Sequence, residues 1–158
     1  MTTLRSAPPW QVTRWFNSAP LALADLRGRV VVLHAFQMLC PGCAMQALPQ
    51  MQRVRLAFPH ERLAVVGLHT VFEHHEAQGP VALEAFLHEY RYEFPVGIDA
   101  HTEGDPLPRT MRAYAMEGTP TLVLIDAEGR LRQQHFGGID DLILGAAIGR
   151  LLAETPEP

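Results

Sequence analysis

The sequence predicts an α/β fold in which helices flank a central mixed β-sheet. The apolar runs at 30–36 and 63–69 do not alternate with polar residues, as is typical of parallel strands covered on both faces. Predicted strands and helices also alternate along the chain, which favours a layered α/β domain. A length of 158 residues fits one domain with a core of its own. We therefore expect a single domain over 1–158, with an irregular N-terminal segment at 1–20 and a short tail at 154–158.

The first half of the chain predicts a β-α-β unit. The segment QVTRWF can form an edge strand, and the turn LADLRGR leads into the strand VVVLHAF. CPGC, residues 40–43, then opens a helix over AMQALPQMQRVRLAF, and the strand RLAVVGLH follows. Pro41 suits the first helical position because its missing N–H would be unpaired there, so Cys40 falls at the N-cap. Pro49 lies inside the helix and should kink it.

The second half predicts a helical insertion and then a β-β-α unit. After the polar loop TVFEHHEAQG, the segment PVALEAFLHEYR places Leu83, Phe86, Leu87 and Tyr90 on one helical face. A short strand FPVGID and a short helix PLPRTMRAYAM follow. We predict a β-hairpin over TLVLIDAEGRLRQQHF, with its turn at 126–129. The closing helix is predicted over DDLILGAAIGRLLAE. The helical insertion thus separates a βαβ half from a ββα half.

Charge and hydropathy exclude some classes of function. The net charge of −4 argues against general nucleic-acid binding, which favours a basic surface. No apolar run approaches the roughly 20 residues that a membrane span needs, so we expect none. The N-terminal residues carry no apolar core of a secretory signal, and we therefore expect a cytoplasmic location.

The chain has two cysteines, Cys40 and Cys43, three positions apart. A disulfide between them would close a very small loop and stabilise the fold little, and a reducing cytoplasm would not preserve it. The residues alone leave two chemistries open. The pair can exchange electrons, or its two thiolates can bind a metal together with His69 and His74, whose spacing suits zinc.

Three stretches together resemble the thioredoxin-like superfamily, in its TlpA-like or redoxin (AhpC/TSA-related) branch. These are CPGC after the first core strand, LADLRGRVVVLHAF before it, and MEGTPTLVLIDAEGRL at 116–131. The insertion containing EAFLHEYRYEFPVGID is also typical of that branch. The resemblance implies a thioredoxin-like fold over roughly residues 10–152 and a thiol–disulfide exchange activity.

The resemblance also implies roles for individual residues. Cys40 would be the exposed attacking thiol and Cys43 the buried resolving thiol. Thr119 and Pro120 would face the cysteines, with a cis peptide bond between them and the Thr119 backbone pairing with an extended substrate. Leu39, Pro41 and Gly42 complete the set of residues expected at the substrate surface.

Two positions depart from the pattern of the family. Leu39 stands where thioredoxins usually have an aromatic residue, which indicates a different substrate surface. Pro49 lies six residues after Cys43, whereas the family usually has five. The extra residue predicts a one-residue shift or bulge in the helix.

Histidines add further candidates. His34 interrupts a buried strand at the position where thioredoxin holds a buried acid, so it can relay the proton of Cys43. The alternative is a neutral core histidine with a hydrogen-bonded ring. The loop HTVFEHHE, residues 69–76, follows another strand end and either contacts substrate or is simply a solvated loop.

We therefore predict a thiol–disulfide oxidoreductase that works through a mixed disulfide on Cys40. Its partners would be a protein or small-molecule disulfide or dithiol and an external thiol redox partner. No bound cofactor and no metal are expected, since the dithiol carries the electrons. One alternative is a peroxiredoxin-like thiol peroxidase, although its signature threonine or serine and its proline are replaced here by Gln37 and Leu33. The other is a non-enzymatic metal-binding protein that uses Cys40, Cys43 and loop histidines.

Overall fold

A computed structural model describes residues 3–155. Among these residues, six strands form one mixed sheet: β1 Val12–Phe16, β2 Val30–Phe36, β3 Leu63–His69, β4 Val96–Asp99, β5 Thr121–Ile125 and β6 Leu131–Phe136. They lie in the order β1-β4-β3-β2-β5-β6 across the sheet. Strands β2, β3 and β4 run parallel, and β1, β5 and β6 each run antiparallel to a neighbour. The predicted α/β class with a mixed sheet is confirmed.

Strand β2 lies at the centre of the sheet and is buried along its whole length. It pairs in parallel with β3 and antiparallel with β5, so that His34 lies between Gly67 and Leu122. A strand covered on both faces cannot place a polar side chain against water, which explains the continuous apolar run. His34 is the polar exception in that run.

Helices cover both faces of the sheet. They are α1 Leu48–Ala57, α2 Pro80–Glu89, α3 Arg109–Ala113 and α4 Asp141–Ala153, with short 3₁₀ turns at Leu23–Leu26 and His75–Gln78. Asp140 caps α4 by accepting a hydrogen bond from the Leu142 N–H at 2.9 Å. Within residues 3–155, no helix is long and apolar enough to cross a membrane.

The alternation of side chains along β2 divides the core into two layers. Val32 and Phe36 pack in the layer that also holds Cys43 and the apolar faces of α1, α2 and α4. Leu33 and Ala35 pack in the opposite layer, against α3 and the Leu23–Leu26 turn. By this alternation His34 shares the face of β2 that Val32 and Phe36 occupy.

The N-terminal part and the first helix differ in detail from the sequence-based expectation. The segment 1–20, predicted as irregular, contains β1 at the edge of the sheet, where QVTRWF indicated a strand. The helix after CPGC is divided into a π-helical segment, Cys43–Ala47, and α1. Part of the predicted tail, residues 156–158, lies outside the described residues.

Candidate active site

The cysteine pair sits where β2 gives way to the first helix. The helical turn begins at Pro41, directly after Cys40. The Cys40 carbonyl accepts the first two helical hydrogen bonds, from the N–H groups of Cys43 at 3.1 Å and Ala44 at 3.0 Å. Cys40 therefore occupies the N-terminal boundary of the helix, where backbone dipoles favour negative charge.

The two thiols differ in exposure. Cys40 is partly exposed, whereas Cys43 has no exposed surface. Cys43 lies one helical turn after Cys40, and the two thiols adjoin each other. Burial, and next the hydrogen bond with Cys40, raise the pKa of the Cys43 thiol to about 12. This is the arrangement of an accessible thiol backed by a protected one.

The π-helical segment accounts for the extra residue before Pro49. The Leu48 N–H donates to the Cys43 carbonyl five residues back, which is the hydrogen bond of a π-helix. Pro49 then falls in the first turn of α1, where its missing N–H breaks no α-helical hydrogen bond. The bulge that the sequence predicted is present, and it takes the form of this segment.

Thr119 and Pro120 approach the cysteines from β5. The Thr119–Pro120 peptide bond is cis. The Cys40 thiol donates to the Thr119 carbonyl at 3.5 Å, and the Thr119 side chain lowers the pKa of the neighbouring Cys43 thiol against the larger effect of burial. A Cβ atom added to Gly42 would lie 3.5 Å from Pro120, so the CPGC turn and the proline are in van der Waals reach.

The residues predicted at the substrate surface lie around Cys40. Leu39 and Pro41 are exposed, Gly42 is partly exposed and Met45 is exposed beside them. Leu39 exposes more than half of its surface, at 56%. An exposed apolar rim therefore surrounds the accessible thiol.

His34 lies inside the protein, on the face of β2 that bears the cysteine layer. It is 1% exposed, and both ring nitrogens lack a hydrogen-bond partner among the described residues. Its ring stacks on Phe36, with centroids 6.0 Å apart. Burial lowers its pKa to about 3, so the ring is neutral at neutral pH.

A cavity of about 390 Å³ borders His34 and reaches the CPGC turn at Gly42. Its other walls include Gln46, Gln50 and the Gly137–Gly138 backbone. The space is many times the roughly 30 Å³ that a water molecule occupies, and these walls offer polar partners. The cavity reaches His34, but the two ring nitrogens themselves remain enclosed by protein.

The loop histidines do not form a metal site with the cysteines. His69 is the last residue of β3, is 1% exposed, and accepts the Met38 N–H at 3.3 Å through Nε2. His74, its predicted partner, is exposed on the following loop, and the neighbouring His75 lies 3.2 Å from the Pro106 carbonyl. Within residues 3–155, no group of three or more His, Cys, Asp or Glu side chains is placed to hold a metal ion.

Sequence reasoning missed two glutamines at the site. Gln37 and Gln78 are 3% and 4% exposed and hydrogen bond to each other. The available signal was weak: Gln37 is the polar residue that directly follows a fully buried strand. Gln78 is hidden within a loop whose composition indicates exposure to solvent.

Similar proteins support the fold and the family of the chain. The sequence profile of the AhpC/TSA family matches residues 5–134. The crystal structure of a thioredoxin-like superfamily protein is 58% identical, with a TM-score of 0.93 and coverage of 96% of this chain and 99% of the other. A thiol-disulfide isomerase from Corynebacterium glutamicum is 46% identical, with a TM-score of 0.91 and coverage of 94% and 98%. The predicted thioredoxin-like fold is confirmed.

Curated relatives are more distant. The thiol-disulfide oxidoreductase ResA of Bacillus anthracis is 26% identical over 133 residues, which cover 84% of this chain and 69% of ResA. The protein DipZ of Mycobacterium tuberculosis is 28% identical over 148 residues. That match covers 91% of this chain but 20% of DipZ, so the chain corresponds to about a fifth of that larger protein.

Proposed function

Because this chain belongs to the AhpC/TSA family and has a thioredoxin-like fold, we propose that Cys40 and Cys43 are its redox centre. The predicted enzyme class, a thiol–disulfide oxidoreductase, is confirmed by relatives such as ResA and the C. glutamicum isomerase. The substrate, the redox partner and the roles of individual residues belong to the proposal. The observation that carries it is the partly exposed Cys40 thiol at the helix N-terminus with the fully buried Cys43 thiol beside it, one helical turn on.

The first step uses the accessible sulfur. The Cys40 thiolate attacks one sulfur of a substrate disulfide, the substrate S–S bond breaks, and the departing thiolate takes a proton from solvent. The product is a mixed disulfide between Cys40 and the other half of the substrate. Leu39, Pro41 and Gly42 would contact that half, and the Thr119 backbone would pair with an extended chain.

The second step uses the protected sulfur. Cys43 loses its proton and attacks the Cys40 sulfur, so that the Cys40–Cys43 disulfide forms and the second substrate thiolate leaves. Two electrons pass from the dithiol to the substrate. An external dithiol then returns two electrons to the pair. The same steps in reverse would oxidise a substrate dithiol.

His34 is proposed to receive the Cys43 proton. A neutral imidazole is the form that accepts a proton, but its burial makes it a weak acceptor. A local movement that admits water from the adjoining cavity to the ring nitrogens would relieve this desolvation and link the ring to the CPGC turn at Gly42. Proton transfer from Cys43 to His34 would therefore require water in the cavity.

The peroxidase alternative gains no support from the geometry. Gln37 and Leu33 stand at the two positions where the peroxiredoxin signature has other residues. The Leu33 side chain is buried in the layer opposite the cysteines. The Gln37 side chain is engaged by a loop and by Thr119.

A redox titration of the purified protein tests the proposal. The protein is equilibrated in thiol/disulfide buffers that span about −270 to −120 mV, and the free thiols are alkylated and counted by mass. We expect one reversible two-electron transition in the wild type and none in Cys40→Ser or Cys43→Ser. Cys43→Ser should also accumulate the mixed disulfide, whereas Cys40→Ser should not. A wild type that forms no reversible disulfide across this range would contradict the proposal.

The cytoplasmic location stays a prediction from the sequence. Fractionation of the native host followed by immunodetection tests it, and recovery with membranes or an extracytoplasmic fraction would contradict it.

A further inference from the structure

Gln37 connects three segments of the site. Its carbonyl oxygen Oε1 accepts hydrogen bonds from the Phe72 N–H, the Glu73 N–H and the Gln78 side-chain amide, each at 3.2 Å. Its amide nitrogen Nε2 donates to the Thr119 hydroxyl oxygen at 3.2 Å. Its own backbone carbonyl accepts the Cys40 N–H at 3.2 Å.

The orientation of the Gln37 amide is determined by its partners. The loop presents two backbone N–H groups, which can only donate, so the oxygen of the amide must face them. The opposite orientation would place two N–H donors against the NH₂ group. The NH₂ group must therefore face Thr119, and Gln37 is a donor to that hydroxyl.

Two neighbouring side chains hold the backbone beside Gln37. The Gln78 Oε1 atom accepts the Leu39 N–H at 3.0 Å, and His69 accepts the Met38 N–H at 3.3 Å. The segment between β2 and Cys40 is thus bound at three consecutive residues. The Gln37 side chain has little freedom to leave Thr119, since partners are costly to lose inside a protein.

The direction of the Gln37–Thr119 hydrogen bond has a chemical consequence. A hydroxyl that already accepts from Gln37 retains its own hydrogen for another acceptor. Thr119 lies beside the cysteine pair, since its carbonyl accepts from the Cys40 thiol at 3.5 Å, and its side chain lowers the pKa of the Cys43 thiol against the larger effect of burial. An O–H donated to sulfur stabilises a thiolate more than a thiol.

We propose that Gln37 is a positioning residue for the second step of the exchange reaction: it orients the Thr119 hydroxyl to donate to the Cys43 sulfur as Cys43 attacks the mixed disulfide. This inference rests on the proposed function. Gln37 itself touches neither the substrate nor the reacting sulfurs through its side chain. The Gln37 side chain acts through Thr119, whereas the Gln37 backbone, which also lowers the pKa of the Cys43 thiol by a hydrogen bond, is retained in side-chain variants.

Ellman's reagent separates the two steps in one experiment. Attack by Cys40 on the reagent releases one thionitrobenzoate and leaves the second attached to Cys40 as a mixed disulfide. Attack by Cys43 on the Cys40 sulfur then forms the internal disulfide and releases the second thionitrobenzoate. The first phase reports Cys40 and the second reports Cys43.

Gln37→Glu is the informative variant. A carboxylate keeps the size of the side chain and still accepts from the Phe72 and Glu73 N–H groups. It cannot donate, so the Thr119 hydroxyl must turn its hydrogen towards position 37 and away from Cys43. We expect the second phase to slow by about tenfold, the effect of one hydrogen bond, while the first phase is retained. The pH midpoint of the second phase should rise.

A double-mutant cycle with Thr119→Val separates this mechanism from the added charge. Thr119→Val alone should slow the second phase, and Thr119→Ser, which keeps the hydroxyl, should restore it. If Gln37 acts through Thr119, Gln37→Glu has no further effect on the second phase in the Thr119→Val background. An undiminished effect in that background, or equal slowing of both phases, would overturn the proposal. Absence of a second phase in the wild type would instead refute the proposed exchange function.

Circular dichroism and urea midpoints establish that the variants fold. Should Gln37→Glu fail to fold, Thr119→Val and Thr119→Ser in the wild-type background still test the hydroxyl. Equal second-phase rates in these two variants would overturn the proposal.

Discussion

Two buried titratable side chains in the sheet, Asp99 and His34, differ in whether their polar atoms have hydrogen-bond partners. Asp99 ends β4 with no exposed surface, and its carboxylate accepts from the Thr110 N–H at 2.8 Å, the Met111 N–H at 3.0 Å and the Thr70 hydroxyl at 3.0 Å. His34 lies in the middle of β2 and has no hydrogen-bond partner among the described residues. Burial is nearly the same, but only one of the two groups is satisfied.

The difference separates a structural role from a chemical one. Asp99 fixes the start of α3 to the end of β4, and its satisfied carboxylate stabilises that junction. His34 makes no such connection and leaves two ring nitrogens desolvated, which is unfavourable for folding. A buried group that costs stability and borders the cavity beside a reactive pair is better explained by chemistry than by packing.

The largest expected effect is at Asp99. Asp99→Leu leaves two backbone N–H groups and the Thr70 hydroxyl without their acceptor, so we expect a loss of about 3–5 kcal/mol in the free energy of unfolding. Asp99→Asn, which keeps one acceptor oxygen, should lose less. Urea denaturation measures both. A midpoint in Asp99→Leu equal to the wild type would refute the structural role.

The next effect, at His34, should have the opposite sign. His34→Leu fills a similar volume and removes the unpartnered nitrogens, so we expect unfolding to become about 1 kcal/mol less favourable. The same variant should slow the second phase of the Ellman reaction by about 10²-fold, the typical contribution of a proton-transfer group. Greater stability with unchanged kinetics would mean that His34 is only a strained core residue.

The pH dependence of stability sharpens the same comparison. The pKa is lowered by burial to about 3 for His34 and to about 4 for His69, against 6.5 for the ordinary side chain. Between pH 6.5 and these lowered pKa values, the unfolded chain binds more protons than the folded chain. The free energy of unfolding therefore falls as the pH drops below about 6.5, and these two histidines do not change it above that pH. Each histidine contributes up to about 1.4 kcal/mol per pH unit.

Subtracting the His34→Leu profile from the wild-type profile isolates the contribution of His34. The subtraction also cancels the contribution of Asp99. Burial raises the pKa of Asp99, so its protonation changes the stability in the opposite direction near its own pKa. We expect the variant to lose about half of the acid sensitivity between pH 6.5 and 5, measured by urea midpoints. Parallel profiles would show that His34 is protonated equally in the folded and unfolded states.

The smallest expected effect is at Asp141, which matches Asp99 in hydrogen bonds but not in burial. Its carboxylate accepts three hydrogen bonds, one from Gln50 at 2.8 Å and two from Arg53 at 3.0 Å, while its side chain is 56% exposed. Water replaces lost partners at such a site. Asp141→Asn should therefore leave the urea midpoint nearly unchanged, and a loss as large as that of Asp99→Leu would show that burial is not the deciding variable.

Local sequence patterns predicted the elements well because each pattern has a local cause. The apolar run of β2, the helical spacing of apolar residues in α2 and the hairpin turn at 126–129 are each readable within a few residues. The partners of Gln37 are not, since Phe72 and Thr119 are distant in sequence and meet it only when β2, β3 and β5 are assembled. The missing hydrogen bonds of His34 were equally invisible, because an absent partner leaves no pattern.

The π-helical segment Cys43–Ala47 bears on how this chain is compared with its relatives. One added residue in a continuous α-helix would turn everything after it by about 100° and advance it by about 1.5 Å. Here the insertion is absorbed within one wide turn, and Met51 and Val54 beyond it remain buried. An alignment with a relative that lacks the extra residue must therefore open its gap inside a helix, between Cys43 and Pro49. A gap placed in a neighbouring loop would shift every helical position in between and equate residues that face different directions.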